Sequence, residues 1–289
     1  MPNVSTRIAK KITSQTIDVL RLAEGLRVEV IKDLETLESD LVYDLMRAAG
    51  KSDLSIARMQ ALLTQARSTI NTAYGNIAVA FTPQLKEAAI AVARQTAEAV
   101  NGIVRVELMS VGLSKEQIEY IAGKTVIEGH VQASWWKAQA SSLRNNFTRQ
   151  MRQGQYRGES VDQLIRRIRG TKASGFTDGV MNAPRYQAEA LVRTGVMSVA
   201  NEAKLASYLN NRDVIKGIQW HATLEGACDI CAELNGKIWL LPKSGDKDDD
   251  YIPDGHDTPF PGAIEHFNCR CIQVAITYSF KELAAMENG

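Results

Sequence analysis

The chain has 289 residues, enough for one large core or two domains of ordinary size. Its 34 basic residues nearly balance its 33 acidic residues, and the net charge of +1 gives no global signature of polyanion binding. No apolar run approaches the roughly 20 residues that span a bilayer, and the N-terminus, MPNVSTRIAKKITSQ, lacks the apolar core of a secretory signal. We therefore expect a protein without a membrane span, kept in a reducing cytoplasm, where clustered cysteines serve as metal ligands more readily than as disulfides.

The first 140 residues are expected to be mainly α-helical. Residues 6–48 are rich in helix-forming residues and carry an apolar stripe on one helical face, which includes Ile31, Leu34, Leu41 and Leu45. The run Gly50–Asp53 predicts a break, after which a second helix is expected over about 54–80. These patterns predict a helical bundle, with a long arm or a coiled coil as the alternative.

Two further helix starts are predicted in this region. Thr82 and Pro83 have the residue types of an N-cap and a first helical position, so a new helix is expected from there to about residue 100. Ser114 and Gln117 have the spacing of a capping box and predict another helix start.

The segment 141–172 is locally basic. Its positive residues, which outnumber its acidic ones, are Arg144, Arg149, Arg152, Arg157, Arg166, Arg167, Arg169 and Lys172. One interpretation is contact with nucleic-acid phosphates. The alternative, which charge runs more often represent, is a solvated helix face or a face that pairs with an acidic partner.

A helix and three strands are predicted in the C-terminal part. The helix begins at Asn182 to Pro184, carries an apolar stripe of mostly small residues, and ends at Asn210-Asn211. A half-buried strand is expected at 218–223. The Asn235-Gly236 turn leads to a second strand at 237–241, and an acidic loop is expected at 243–257. The third strand is predicted from Cys269 to Tyr278.

All four cysteines lie between Cys228 and Cys271. Cys228 and Cys231 have the knuckle spacing in which a tight turn lets two sulfurs bind one ion. Cys269 and Cys271, two apart on the predicted strand, should point to one side, while apolar side chains cover the other. Two such pairs predict an all-sulfur tetrahedral site.

His266, three residues before Cys269, could replace one of the four sulfurs, so the choice among the five ligands stays open. Zinc is the expected ion because it suits four thiolates, or three thiolates and an imidazole. A site with four protein ligands has no open position for water, so the zinc is expected to be structural. A disulfide pair and a thioredoxin-like CxxC are the alternatives, although the latter lacks its βαβ context.

A metal-dependent nuclease is the enzymatic alternative. His256, with Asp254 and Asp257, could supply the general base and the metal ligands of such an enzyme. The surrounding loop is more typical of a solvated segment, and we therefore expect no enzymatic activity. His221, beside Trp220, is expected at the surface, or else as a partner of a metal ligand.

The C-terminal half resembles the phage Mu F-like minor head proteins, also called the phage head morphogenesis domain. The segments that carry the likeness, over about residues 157–276, are ALVRTGVMSVANEA, GIQWHAT, CDICAELNGKIW and HFNCRC. In two places the chain departs from the family pattern. Phe267 stands where a proline commonly follows the histidine, and Gly195 replaces the acid that often follows Arg193-Thr194, which weakens any catalytic role for that pair.

The resemblance implies a low-copy head component of a tailed phage or prophage that acts beside the portal. It implies a location in the head interior near the portal, with host cytoplasm as the site during assembly. Portal, scaffold or capsid proteins are the expected partners, and packaged DNA would be contacted non-specifically. A phage-encoded DNA-binding protein or nuclease remains the alternative.

The expected fold class is α+β, with a long, mainly α-helical N-terminal region before a small α+β domain that has a few short strands and a Cys-rich zinc knuckle. The expected domains are a helical docking or arm region at 1–140, a head morphogenesis domain with the zinc site at 141–280, and a tail at 281–289.

Overall fold

The computed structural model describes residues 4–50, 54–104, 108–124, 126–127, 130–222, 226–243, 245–247, 250–279 and 281–282. The described helices are α1 (Val4–Ala49), α2 (Ile56–Val104), α3 (Lys115–Lys124), α4 (Gln132–Tyr156), α5 (Val161–Arg169), α6 (Asn182–Leu209) and α7 (Asp229–Leu234). The described strands are β1 (Val126–Ile127), β2 (His130–Val131), β3 (Ile215–His221), β4 (Ile238–Leu240), β5 (Ile252–Asp254) and β6 (Ile272–Thr277). The predicted α+β class is confirmed. Most of the predicted break at 50–53 and of the predicted tail lies outside the described residues.

The chain forms two compact units. Unit 1 consists of residues 1–23, 83–129 and 193–289, and unit 2 consists of residues 24–82 and 130–192. Helices α1, α2 and α6 each contribute to both units. The domain boundaries expected near residues 140 and 280 stay a prediction. None of the described helices is long and apolar enough to cross a membrane.

Helix α1 buries most of the stripe that its sequence predicts, although Ile31 is only partly buried. Leu34, Leu41 and Leu45 have no solvent exposure, and Leu37 between them is 1% exposed. The spacing of three, four and four residues keeps these side chains on one helical face. Burial of leucines in this way supplies most of the stability of a long helix, because propensity alone contributes little.

The helix start predicted at Thr82-Pro83 is wrong, because α2 runs through Pro83 without a break. The Thr82 hydroxyl donates to the carbonyl of Ala78 at 3.1 Å instead of capping a helix. Proline costs about 3 kcal/mol inside a helix, since it lacks an N–H and its ring crowds the preceding turn. The buried stripe continues across it through Phe81 and Leu85, and the burial of these side chains offsets that cost.

Two other helix predictions are confirmed. Ser114 and Gln117 exchange both bonds of a capping box at the start of α3, with the Ser114 hydroxyl 3.2 Å from the Gln117 nitrogen and the Gln117 side-chain oxygen 3.0 Å from the Ser114 nitrogen. Helix α6 begins at Asn182 and ends at Leu209, directly before Asn210.

Four strands form one antiparallel sheet in unit 1, in the order β5-β4-β3-β6. Ile218 of β3 lies opposite Trp239 of β4 on one side and opposite Ala275 of β6 on the other. Strand β5 lies within the stretch predicted to be loop. It has three residues at the sheet edge, where Pro253 is tolerated because its missing N–H is not needed there. A glycine is required at position 217 because the backbone of β4 approaches it closely. A Cβ atom there would lie 2.6 Å from the Trp239 carbonyl oxygen.

The third predicted strand is present but begins at Ile272, so Cys269 and Cys271 lie in the segment that leads into it. The prediction that only one face of this strand is buried is wrong. Consecutive residues Ile272, Gln273 and Val274 are all 5% exposed or less. Tyr208 of α6 donates to the Gln273 carbonyl, and this contact places α6 against the strand.

Candidate metal centre

The first cysteine pair lies at the start of the short helix α7. Cys228 is the N-cap residue, and its sulfur accepts a hydrogen bond from the Cys231 N–H at 3.4 Å. The Ala232 N–H donates to the Cys228 carbonyl at 2.9 Å, which closes the first turn. The turn therefore holds the two sulfurs close together, as the CxxC spacing predicts.

The HFNCRC segment forms a tight turn that presents the second group of donors. Asn268 adopts a left-handed conformation with φ of 60°, which asparagine tolerates better than most residues. The Cys269 N–H donates to the His266 carbonyl at 3.1 Å. The buried Thr194 hydroxyl of α6 accepts from the Asn268 N–H at 2.9 Å and ties the turn to that helix.

The structure brings together all five sequence-predicted metal ligands. The Nε2 atom of His266 lies 3.1 Å from the sulfur of Cys228 and 3.1 Å from the sulfur of Cys231. The Cys231 and Cys269 sulfurs are 3.8 Å apart. A zinc–sulfur distance of about 2.3 Å gives a sulfur–sulfur edge of about 3.8 Å in a tetrahedron, and the second pair already has this separation.

Two overlapping groups of donors could hold a metal ion. Cys228, Cys231 and His266 form one, and Cys231, Cys269 and Cys271 form the other, with the donor atoms of each group within 4.8 Å of one another. Cys231 belongs to both groups. Three of the sulfurs are buried and Cys228 is exposed, so the cluster opens toward solvent on one side only.

The imidazole of His266 is oriented for metal binding through Nε2. Its Nδ1 atom lies 2.7 Å from the carbonyl oxygen of Phe267, which can only accept a hydrogen bond. Nδ1 therefore carries the proton, and the lone pair of Nε2 faces the two sulfurs. This is the arrangement that backbone carbonyls commonly impose on metal-binding histidines.

The electrostatics of the cluster favour some thiolates and oppose others. A hydrogen bond from Cys271 lowers the pKa of Cys269 to about 5, and the Cys231 N–H lowers the pKa of Cys228. Burial raises the pKa of Cys231 to about 12, and the hydrogen bond with Cys269 raises that of Cys271. Several sulfurs this close cannot all ionise alone, whereas a divalent cation would neutralise their charge. The donor set therefore fits a cation.

Asn201 of α6 is a functional residue that sequence reasoning missed. Its side-chain nitrogen donates to the carbonyls of Ala263 and Cys271, each at 2.9 Å, and its side chain is fully buried. It thereby fixes the backbone on both sides of the HFNCRC turn. Thr194 and Asn201 are seven residues apart on one helical face. Two polar residues on the apolar face of a helix indicate buried hydrogen bonds, and this pattern could have identified Asn201 from the sequence.

The disulfide alternative is not realised, since all four cysteines are free in the described structure. Neither of the other two histidines considered lies in the cluster. His256 donates from Nε2 to the Ile238 carbonyl at 2.8 Å and accepts from the Thr258 N–H at Nδ1 at 3.2 Å, so both ring nitrogens bond to backbone. His221 lies 3.0 Å from the side chain of Gln219 on β3.

Two of the basic residues of segment 141–172 are held by carboxylates of unit 2. Arg167 makes two bonds to Glu159, at 2.5 and 2.6 Å, and both side chains are largely buried. Arg169 lies 3.4 Å from Glu38. These two arginines therefore have structural partners.

The remaining basic residues have fewer contacts. Arg144 bonds to the side chain of Asn71, and Arg149 donates to Asn146 at 2.8 Å. Four are exposed and make no ion pair with a described residue: Arg152, Arg157, Arg166 and Lys172. Contact of any of the eight with nucleic acid stays a prediction.

Comparison with known proteins agrees with the cluster and its surroundings. The family model described as Phage Mu protein F like protein matches residues 145–274, a range that contains all five donors, and the resemblance is thereby confirmed. Such a domain indicates a phage head morphogenesis protein. No curated protein and no solved structure gives a significant match.

Proposed function

We propose that this chain, whose residues 145–274 form a Phage Mu protein F like domain, is a minor head protein of a tailed phage or prophage. It acts in head morphogenesis at or near the portal and has no catalytic role. The observation that carries the proposal is the convergence of the cysteines and His266 where the family's most specific motif, HFNCRC, meets the CxxC turn.

The first test is a quantitative protein census of purified particles from the phage that encodes the chain. A few copies per particle, far fewer than the major capsid protein, are expected of a minor head protein near the portal. The major capsid protein in the same sample is the internal standard. Absence from mature particles would overturn the virion location and would point to a transient assembly factor.

The cluster is proposed to hold one structural zinc ion per chain. We assign Cys228, Cys231, Cys269 and the Nε2 atom of His266 as ligands, because Nε2 already faces two of these sulfurs. Cys271 is then outside the ligand set, and its thiol donates a hydrogen bond to the Cys269 sulfur. The zinc would supply the positive charge that lets three thiolates coexist, and four protein ligands would leave no position for substrate.

The ligand assignment is tested with His266→Ala and Cys271→Ser in the full chain. We expect the histidine variant to lose bound zinc, measured by mass spectrometry of the metal after dialysis, and the cysteine variant to keep close to one zinc per chain. The reverse result would assign Cys271 as the fourth ligand. Retention of zinc by both variants would remove His266 and Cys271 alike from the set.

The helical N-terminal region, residues 1–140, is proposed to dock on the portal or on other head proteins. Tyr43 and Met46 support this, since they lie one turn apart on α1 and are 64% and 55% exposed. Apolar side chains of this kind are enriched at protein interfaces. Changing both to serine should abolish co-purification with the portal protein of the same phage, whereas Lys32→Ser, an exposed change on the same helix, should not. Unchanged co-purification of the double variant would contradict the docking site.

Non-specific contact with packaged DNA is a second candidate function. The exposed cations Arg152, Arg166 and Lys172 favour it, since they make no ion pair with a described residue. Arg157 is also exposed, but its charge helps to lower the pKa of the Glu159 carboxylate. Phosphate contacts would make the affinity for a labelled duplex fall steeply between about 50 and 200 mM salt. In a plot of log affinity against log salt concentration, Arg152→Gln should reduce the magnitude of the slope by about one. Weak binding that is independent of salt would contradict DNA contact.

A further inference from the structure

A cleft of about 860 Å³ lies in unit 1, and none of the five metal donors lines it. Its walls come from α3, α6 and the segment around Tyr251 to Ala263. The volume is near the upper end of the range for small-molecule sites, roughly 300–1,000 Å³. The cleft is therefore large enough for more than one amino-acid side chain.

One wall of the cleft carries a carboxylate without a compensating partner. Glu202 of α6 lines the cleft and is half-buried, and its carboxylate makes no hydrogen bond or ion pair with a described residue. Burial raises the pKa of Glu202, and no cation offsets this shift. A desolvated carboxylate costs free energy unless a donor or a positive charge comes close to it.

Aromatic rings form the rest of the recognition surface. The rings of Tyr251 and Phe260 are 4.2 Å apart and tilted by 34°, so they form one continuous wall. Tyr120 of α3 also lines the cleft and is 64% exposed. A second carboxylate, Glu116, lies among the lining residues, and none of the described lining residues is a lysine, an arginine or a histidine. Aromatic faces and carboxylates both attract cations, and together they repel phosphates.

We propose that this cleft docks a segment of a partner protein that inserts an arginine or lysine side chain. The cationic head group binds the Glu202 carboxylate, and the aliphatic stem packs on the aromatic wall of Tyr251 and Phe260. Charge complementarity selects the head group, since the described lining of the cleft has two carboxylates and no cation. The spare volume accommodates the neighbouring residues of the segment, which distinguishes a peptide from a free small cation.

The experiment uses the full chain and a labelled five-residue peptide, acetyl-Ala-Leu-Arg-Leu-Ala-amide, with binding followed by fluorescence anisotropy. A matched peptide carries citrulline, which keeps the shape of arginine and removes its charge. We expect saturable binding of the arginine peptide and at least about tenfold weaker binding of the citrulline peptide. Glu202→Gln should lower the affinity for the arginine peptide by a similar factor, and Tyr120→Ala should lower that affinity by a smaller factor.

Glu87→Gln is the control, because it makes the same charge change at an exposed position of α2 outside the cleft. It should leave the affinity unchanged. Glu202→Gln should melt no earlier than the natural chain, since it removes an unpaired, desolvated carboxylate. The proposal would be overturned if the natural chain bound both peptides with equal affinity, or if the Glu202→Gln variant bound the arginine peptide as tightly as the natural chain does. It would also be overturned if binding did not saturate up to about 1 mM peptide. Marked destabilisation by Glu202→Gln would also overturn it, because the carboxylate would then have a partner within the fold.

Discussion

Helix α1 and the cysteine cluster are stabilised in opposite ways. The helix buries many equivalent leucines, of which Leu34, Leu41 and Leu45 are completely covered. The cluster is built from short turns and depends on a few sulfur atoms and on side-chain bonds from Thr194 and Asn201. Stability spread over many apolar contacts tolerates the loss of one, whereas stability that depends on one ion does not. This difference predicts which substitutions the chain tolerates.

The largest effect is expected from removing the zinc ion that is proposed for the cluster. Cys231 is shared by both donor groups, so Cys231→Ser should abolish zinc binding and disorder the turns around it. Binding of structural zinc contributes about 10–16 kcal/mol in zinc-finger peptides, and that free energy is coupled to folding. We expect loss of the near-ultraviolet signal of the buried Trp220 and Trp239, while most of the helical far-ultraviolet signal remains.

Chelation of the natural chain is the matched experiment. A strong chelator should reproduce the spectrum of the Cys231→Ser variant, and added zinc should restore the natural chain but not the variant. A chain that is free of metal and melts at an unchanged temperature would contradict a structural role for the ion.

A truncation in the leucine stripe should have a moderate and local effect. Leu41→Ala leaves a cavity at a completely buried position of α1 and should cost about 2–5 kcal/mol of unfolding free energy, measured by urea titration at 222 nm. Zinc content should stay at one per chain. Lys32→Ala, at an exposed position of the same helix, should change the stability by less than about 0.5 kcal/mol. Loss of zinc in the leucine variant would show that metal binding by the cluster depends on the packing of α1.

The loss of one polar bridge beside the cluster should have a smaller effect. Asn201→Ala leaves the carbonyls of Ala263 and Cys271 without their side-chain donor. A buried unsatisfied acceptor costs about 1–3 kcal/mol, and Gln273 still donates to the Ala263 carbonyl at 2.9 Å. The variant also removes the Asn201 side-chain oxygen that accepts from the buried Lys204 ammonium at 3.4 Å. We therefore expect a cost near the upper end of that range and a faster release of zinc to a chelator. An unchanged release rate would contradict a positioning role for Asn201.

Sequence patterns predicted the local parts of both regions. The leucine stripe, the capping box at Ser114 and the close pair of sulfurs in the CxxC turn follow from spacing within a helix or a turn. The approach of that turn to HFNCRC, 35 residues on, was inferred from the shared chemistry of the cysteines rather than from spacing. The continuation of α2 through Pro83 was missed, because local propensity was outweighed by burial on both sides of the proline. Strand β5 was missed because its three residues lie in a stretch with loop composition.

Contacts between distant segments were beyond prediction from patterns. The Asn201 bond to Cys271 joins residues 70 positions apart, and nothing in either segment alone indicates the other. The same holds for the cleft, in which Tyr120 and Glu202 come from helices far apart in the chain. Such sites depend on tertiary packing, which period and composition do not encode.

The smallest effect is expected at the capping box of α3. Ser114→Ala removes the hydroxyl that accepts from the Gln117 N–H at 3.2 Å, in an exposed position. N-cap substitutions of this kind cost about 0.5–2 kcal/mol, and solvent can replace part of the lost bond here, so the lower half of that range is expected. Ser142→Ala, at an exposed position inside α4, is the control and should be neutral or slightly stabilising, because alanine is the better helix former. Urea titration of both variants measures the difference, and equal stabilities would mean that the ten-residue helix is held by its packing rather than by its cap.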